Sequence, residues 1–302
     1  MELHLASMEN ITCWAFRKLF ASSCTDSYTG VLSLNNLLRR ATWKEVDLYP
    51  IPGQRQWIQI ATAKDEECKK FIERLVRMKK ENPEKYNIYG IQLNCSSPSY
   101  HFTDIGQGPA LIKRADKVSR LVKILLNQNE FKVSVKTRLG LAEEEVRQGA
   151  VYRLFSELEK IKDKNFVHVV VHFKHARENS DAPYNYSMMK KLSEYGIPII
   201  VNGGINNYND FLRATQNANK KNIIGFMMGR EALRNPDCFN ESNKILYHKN
   251  LPSRTPEQVK KEFEENCEIN PPKEGYMKAI KHYCPWAKDL VIPIYDYGVI
   301  VK

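Results

Sequence analysis

Seven places along the chain carry residues able to hold a small, planar, anionic molecule. They are Ser7-Met8-Glu9, Gln59, Asn94, Lys136 with Arg138, His172, Asn202-Gly203-Gly204 and Gly229-Arg230. Glycines at 203, 204 and 229 let backbone N–H groups approach a phosphate, and Arg230 adds a fork of donors. Lys136 would set a positive charge beside an electron-accepting ring. Gln59 and Asn202 suit the edges of a planar heterocycle. A phosphorylated flavin, FMN, meets all of these demands. A phosphosugar meets the phosphate half but leaves Gln59 and Met8 without a task. Each position alone also has a plain structural use: Gln59 satisfying a backbone group, His172 serving the core, Asn-Gly-Gly making a tight turn.

Their common phase is the informative feature. Each lies at the carboxyl end of a β-rich run, and eight such runs recur at 3–8, 27–32, 56–61, 88–94, 132–137, 166–173, 197–203 and 222–229. The runs are continuously apolar, as parallel strands covered on both faces are. Between them, "DEECKKFIERLVRMKK" and "EEEVRQGAVYRLFSELEKIKDK" place apolar residues at helical spacing with charges opposite. Eight strands alternating with helices predict a (β/α)8 TIM barrel, whose active face lies at the carboxyl ends of the strands. An open doubly wound sheet competes, but no G-x-G-x-x-G follows the first strand. The sequence predicts a barrel over 1–239 and a small helical domain over 240–302, with helices at 256–268 and 275–283 and a tail "DLVIPIYDYGVIVK" of unassigned structure.

Composition bounds the remaining possibilities. With 42% hydrophobic residues in 302, the chain fits a soluble globular protein. No apolar run is long enough to span a bilayer. "MELHLASMEN" lacks a basic stretch followed by an apolar core, so no signal peptide is expected and the cytoplasm is the expected compartment. Seven cysteines without CxxC spacing argue against a disulfide framework or a structural zinc site, and no metal is expected. His168 and His172 lie on one predicted strand, where structural roles dominate. The net charge of +11, concentrated ahead of residue 240, suits a polyanionic partner.

These motifs resemble the dihydrouridine synthases, FMN enzymes that reduce uridine in tRNA. The family's L-A-P-M-E-G-V-T-D-x-x-F-R opening is matched by "LASMENITCWAFR", with Ser7 for Pro and Cys13 for Asp. V-K-x-R-L-G is present from Val135 to Gly140, V-H ends at His172, N-G-x-I runs from Asn202 to Ile205, and M-x-G-R-x-A-L-x-N-P is complete from Met227 to Pro236. "FKHAR" stands where the family usually has G-R-T-R. The resemblance implies that Ser7, Met8, Gln59, Lys136, His172, Asn202, Gly203, Gly204, Gly229 and Arg230 hold FMN. It implies that Asn94 and Arg138 face the uracil, and that NADPH or NADH is the reductant. It also implies that the carboxy-terminal helices grip tRNA, with Tyr276, Lys278, Lys281 and Tyr283 as candidates beside an ordinary solvated helix face.

One departure bears on the chemistry. The family reads N-x-x-C-P and then G-x-G-A-A-L-L; here Asn94, Ser97, Pro98, Gly106, Gly108, Ala110 and Leu111 keep that register, with serine in place of the catalytic cysteine. A thiol suits protonation of uracil C5 after hydride reaches C6, whereas a serine hydroxyl needs a relay. His101, Lys136 or an ordered water are the candidates for that relay. Cys95, two residues earlier, is expected to share a face with Ser97 in extended chain and is the second candidate proton donor. Three outcomes stay open: a working synthase, a dihydroorotate-dehydrogenase-like enzyme on a free pyrimidine, or a weakly catalytic FMN- or RNA-binding module. Oligomeric state and the target uridine are open as well.

Overall fold

The computed structural model describes residues 1–40, 43, 48–86 and 88–290, with the backbone of Tyr295–Asp296 and Val299–Ile300. Nine parallel strands form the sheet: β1 Glu2–Leu5, β2 Asp26–Tyr28, β3 Leu32–Ser33, β4 Arg55–Ala61, β5 Gly90–Cys95, β6 Lys132–Arg138, β7 Phe166–His172, β8 Ile199–Asn202 and β9 Ile223–Met228. Pairing runs β2-β1-β9-β8-β7-β6-β5-β4-β3, and a β2–β4 pairing closes the ring. The result is the expected eight-stranded TIM barrel.

The second expected strand is divided. Tyr28 lies opposite Trp57 and Leu32 opposite Ile60, so one extra residue bulges between β2 and β3. The bulge contains Gly30, a glycine inside the predicted strand that is the usual mark of such an interruption. The helical stretch "EEEVRQGAVYRLFSELEKIKDK" is also split. Gly149 adopts φ +69°, a left-handed conformation that ends Glu143–Arg147 and starts Ala150–Glu159. By contrast, Asp65–Glu81 forms one helix, because Cys68, Phe71, Ile72, Leu75 and Val76 make a single buried stripe. Acidic Asp65, Glu66 and Glu67 open it and Lys79 and Lys80 close it, in accord with its dipole.

The barrel interior is layered by residue alternation along the strands. Ala6, Tyr28, Trp57, Val170, Ile200 and Met227 form an apolar cluster of their own, apart from the core between strands and helices. Trp57 reaches the axis because Gly90, its neighbour on β5, has no Cβ to collide with the indole.

Beneath that cluster, at the amino-terminal ends of the strands, lies a buried ionic knot. Asp26 accepts from Arg55 at 2.6 Å, Trp57 Nε1 at 2.7 Å and Thr25 at 2.7 Å. His4 lies 3.4 Å from Asp26 and 3.1 Å from Glu2, and its Nδ1 meets Tyr28 Oη at 2.8 Å. Glu2, His4 and Asp26 are grouped closely enough to ligate a cation. Arg55 already supplies the charge, bridging both carboxylates at 2.6 Å.

Beyond residue 239 the chain is helical: Asn240–Tyr247, Pro256–Ile269 and Glu274–Tyr283. A reciprocal cap of Thr255 and Gln258, with Pro256 at the first turn, fixes the start of the long helix. These helices share the barrel's outer core rather than standing apart. Trp286 lies against Phe16 and Phe263, and Asn266 donates to the Ala15 carbonyl. Most of the tail, residues 291–302, lies outside the described residues. No helix among the described residues is long and apolar enough to cross a membrane.

Candidate active site

At the carboxyl ends of the strands two cavities meet. The larger, of ≈ 400 Å³, is lined by Ser7, Met8, Lys136, His172, Asn202, Gly203, Gly204, Gly229 and Arg230. The smaller, of ≈ 170 Å³, is lined by Ser7, Gln59, Asn94, Ser97, Lys136, Arg138 and His172. Ser7, Lys136 and His172 belong to both, so the cavities are two lobes of one cleft. Thirteen of the fifteen sequence-selected positions line it; Cys95 and His101 do not. A cavity of ≈ 470 Å³ at the opposite end of the barrel, beside Arg55 and Lys132, lies far from these residues.

The floor of the small lobe is a chain of side-chain amides. Gln92 donates to Ser134 Oγ at 3.1 Å, Gln59 to Gln92 at 2.7 Å, and Asn94 to Gln59 at 2.7 Å. Asn94 Oδ1 then accepts the backbone N–H groups of Ser96 at 2.9 Å and Ser97 at 2.8 Å. This turn, built on an asparagine side chain, ends β5 and swings Ser97 into the lobe. Gln59 therefore braces Asn94 and keeps one N–H and one lone pair for a ligand.

The same turn separates Ser97 from Cys95. Cys95 is fully buried on the outward face of β5, in the core beneath the helices. Burial pushes its thiol up to about 12. The two residues do not share a face, because extended geometry ends between them. His101 is exposed on the short helix Tyr100–Thr103 and faces neither lobe.

Four cations surround a neutral imidazole. Lys136 is 9% exposed, and burial, then the nearby Arg138 charge, lower its ammonium to about 8. Arg138 is lowered to about 10 by burial, with Tyr184 and Glu178 opposing and Arg230 assisting. Its Nε donates to the Ser96 carbonyl at 2.9 Å and Nη1 to the His175 carbonyl at 3.3 Å, tying two loops together. His172 is held well below its usual range by burial, then by Arg138, Lys136, Lys174 and Arg230. It is thus neutral at pH 7, and its buried Nδ1 has no hydrogen-bond partner among the described residues. Among the described residues no carboxylate pairs with Lys136.

Sequence reasoning missed the far wall of the large lobe. Tyr184 and Tyr186, in the loop after β7, stack with centroids 5.8 Å apart. A Cβ on Gly203 would lie 2.6 Å from the Tyr184 ring, and one on Gly204 would lie 2.6 Å from both the Tyr184 ring and the Tyr186 hydroxyl. With φ of +90° and +66°, both glycines are required by conformation as well as by space. Their missing side chains thus admit aromatic rings, a role the phosphate reading did not anticipate. The "PYNY" run at 183–186 was the available signal, an aromatic pair in the loop that follows a strand ending in a polar residue.

The helix carrying Tyr276, Lys278, Lys281 and Tyr283 runs beside this rim. The Tyr276 hydroxyl lies 3.6 Å from where a Gly30 Cβ would stand, next to the Met8 carbonyl. Lys278 pairs with Glu274, and Tyr283 is exposed.

Residues 4–290 match the family described as "Dihydrouridine synthase (Dus)". The chain is 26% identical over 159 residues to tRNA-dihydrouridine(20) synthase (NAD(P)+) of Schizosaccharomyces pombe, covering 51% of this chain and 31% of that one. It is 26% identical over 249 residues to the probable tRNA-dihydrouridine synthase of Helicobacter pylori, covering 78% and 68%. The chain thus spans from about a third to two thirds of the length of these curated relatives. The solved structure of histamine dehydrogenase from Rhizobium sp. 4-9 superposes with a TM-score of 0.52 at 11% identity, over 82% of this chain and 46% of that one, a likeness of fold alone. With the family match running through both the barrel and the helices that follow, this chain belongs to the dihydrouridine synthase family.

Proposed function

We propose that the protein reduces uridine to 5,6-dihydrouridine in tRNA, with FMN as cofactor and NADPH or NADH as reductant. The observation that carries this reading is the buried Lys136 ammonium, unpaired by any carboxylate among the described residues, beside the orphaned Nδ1 of His172. Buried cations and polar atoms are stable when something completes them. An electron-accepting ring with carbonyl and ring-nitrogen acceptors and a phosphate tail supplies both the acceptors and the negative charge.

The residues present fit that group. Lys136, His172, Asn202 and Gln59 would hold the ring, with Met8 and Ser7 lining the same cleft. Gly229 and Arg230 would hold the phosphate at the rim of the large lobe. Bound flavin would supply hydride transfer to uracil C6. The small lobe, next to the ring, has the size and donors for a pyrimidine: Asn94 and Arg138 read its polar edge, and Ser97 lies beside it.

Protonation at C5 falls to Ser97, whose hydroxyl is a poor acid unaided. Lys136 lines the same lobe and, at about 8, has an acidity matched to neutral pH, so it is the relay we assign. His101 faces away and is left out of that role. The basic surface and the carboxy-terminal helices would engage the RNA. Nucleoside mass spectrometry of unmodified tRNA incubated with protein, FMN and NADPH is the test. Appearance of dihydrouridine supports the reading; flavin reduced by NADPH with no dihydrouridine in any tRNA refutes it.

A further inference from the structure

Tyr184 occupies a position that its packing alone does not explain. Its ring lies on the bare backbone of Gly203 and Gly204, edge-on to His172 at 5.6 Å. Lys174 sits 4.6 Å from the ring centroid, and its ammonium is pinned by the carbonyls of Asn179 and Ser180, both at 2.9 Å. Tyr186 stacks behind and is itself fixed by a 2.6 Å bond from its hydroxyl to the Gly203 carbonyl. The ring is therefore held on several sides, while its hydroxyl points along the lobe to Arg230.

There the Tyr184 oxygen accepts from Arg230 Nη2 at 2.9 Å. The hydroxyl proton has no acceptor among the described residues. An exposed guanidinium and an unused O–H thus converge at the mouth of the cavity, two donors a few ångströms apart. That is the arrangement a phosphate monoester recognises, since its oxygens accept from both and carry the charge that the guanidinium matches.

We propose that Tyr184 is a phosphate ligand of the flavin nucleotide, acting with Arg230 and making the site selective for the phosphorylated flavin. The inference rests on the FMN reading above and deepens it. When phosphate enters, the Arg230–Tyr184 bond is exchanged for one bond from each residue to phosphate oxygens. The aromatic platform fixes Tyr184 beforehand, so little side-chain freedom is lost on binding.

The test is flavin affinity, measured by fluorescence titration of flavin-free protein with FMN and, separately, with riboflavin. Tyr184→Phe keeps the ring and its packing and deletes only the hydroxyl. A hydrogen bond to a charged group makes the expected loss of FMN affinity about tenfold, with riboflavin affinity unchanged. Thermal unfolding of flavin-free Tyr184→Phe within a degree or two of wild type excludes a folding defect. If the variant keeps the wild-type ratio of FMN to riboflavin affinity, the proposal is overturned while the cofactor reading stands. A wild-type protein that binds neither flavin removes both.

Discussion

The two ends of the barrel treat buried charge in opposite ways. At the amino-terminal end Glu2, His4, Asp26 and Arg55 answer one another, and Trp57, Thr25 and Tyr28 take up the remaining bonds. At the carboxyl end Lys136, Arg138 and Arg230 crowd a neutral His172 whose Nδ1 has no hydrogen-bond partner among the described residues. Both ends place polar residues on strands, so polarity alone does not mark a site. Completeness does: the lower end is closed by its own residues, and the upper end is left for something that arrives.

Breaking the lower end should have the largest effect. Asp26→Ala leaves Trp57 Nε1 without its acceptor and Arg55 and His4 with Glu2 alone, and should cost about 3–5 kcal/mol of unfolding free energy in urea titration. Flavin affinity of the folded fraction should be unaltered. A loss under 1 kcal/mol would erase the contrast.

The mirror experiment is Lys136→Met. Removing an unpaired buried cation should leave stability level or raised by about 1 kcal/mol, while flavin affinity falls at least about tenfold. Marked destabilisation would mean that Lys136 is structural like Asp26.

A third variant sharpens the upper end alone. Ser97→Cys restores an acid suited to donation, and should speed tRNA-dependent flavin reoxidation by about 100-fold, the lower limit of typical general acid effects. Reduction by NADPH should be unchanged. Equal rates for serine and cysteine would place the proton donor elsewhere.

Titration gives the mildest contrast. Burial alone would raise the Glu2 carboxyl, but the hydrogen bond and charge of His4, then those of Arg55, hold it at about 2 against an ordinary 4.5. Stability from this pairing is complete above pH 4.5 and is lost as pH falls toward 2. Lys136, at about 8 against 10.5, gives a slope of the same sign from the opposite cause, because here the fold disfavours the charged form. Between pH 8 and 10.5 the unfolded chain holds the extra proton, so flavin-free stability should rise with pH, and affinity for FMN should fall. Urea midpoints and flavin titrations across both windows check the two slopes.

The strands were legible because a parallel barrel demands continuous apolar runs, and most boundaries fell within a few residues. The phase of polar residues at strand ends was legible for the same reason: side chains alternate, so Asn94, Lys136, His172 and Asn202 point inward together. What was hidden depends on turns. The asparagine-built turn after β5 reverses the expected relation of Cys95 and Ser97, and no strand periodicity extends across it. Tyr184 comes from a loop whose path is set by Lys174 bonding Asn179 and Ser180, a contact no spacing rule reveals. The bulge at Gly30 was signalled by a glycine inside the strand run, but its exact register is set by pairing with β4.

The pairing of β1 with β9 joins Glu2 to Gly225 and Leu5 to Met228. A ribosome therefore releases the first strand long before its neighbour exists. At roughly 5–20 residues per second, one edge of β1 stays bare for on the order of tens of seconds. A transcript cut short before β9 yields a chain with open edges on both β1 and β8, suited to joining other chains rather than to folding.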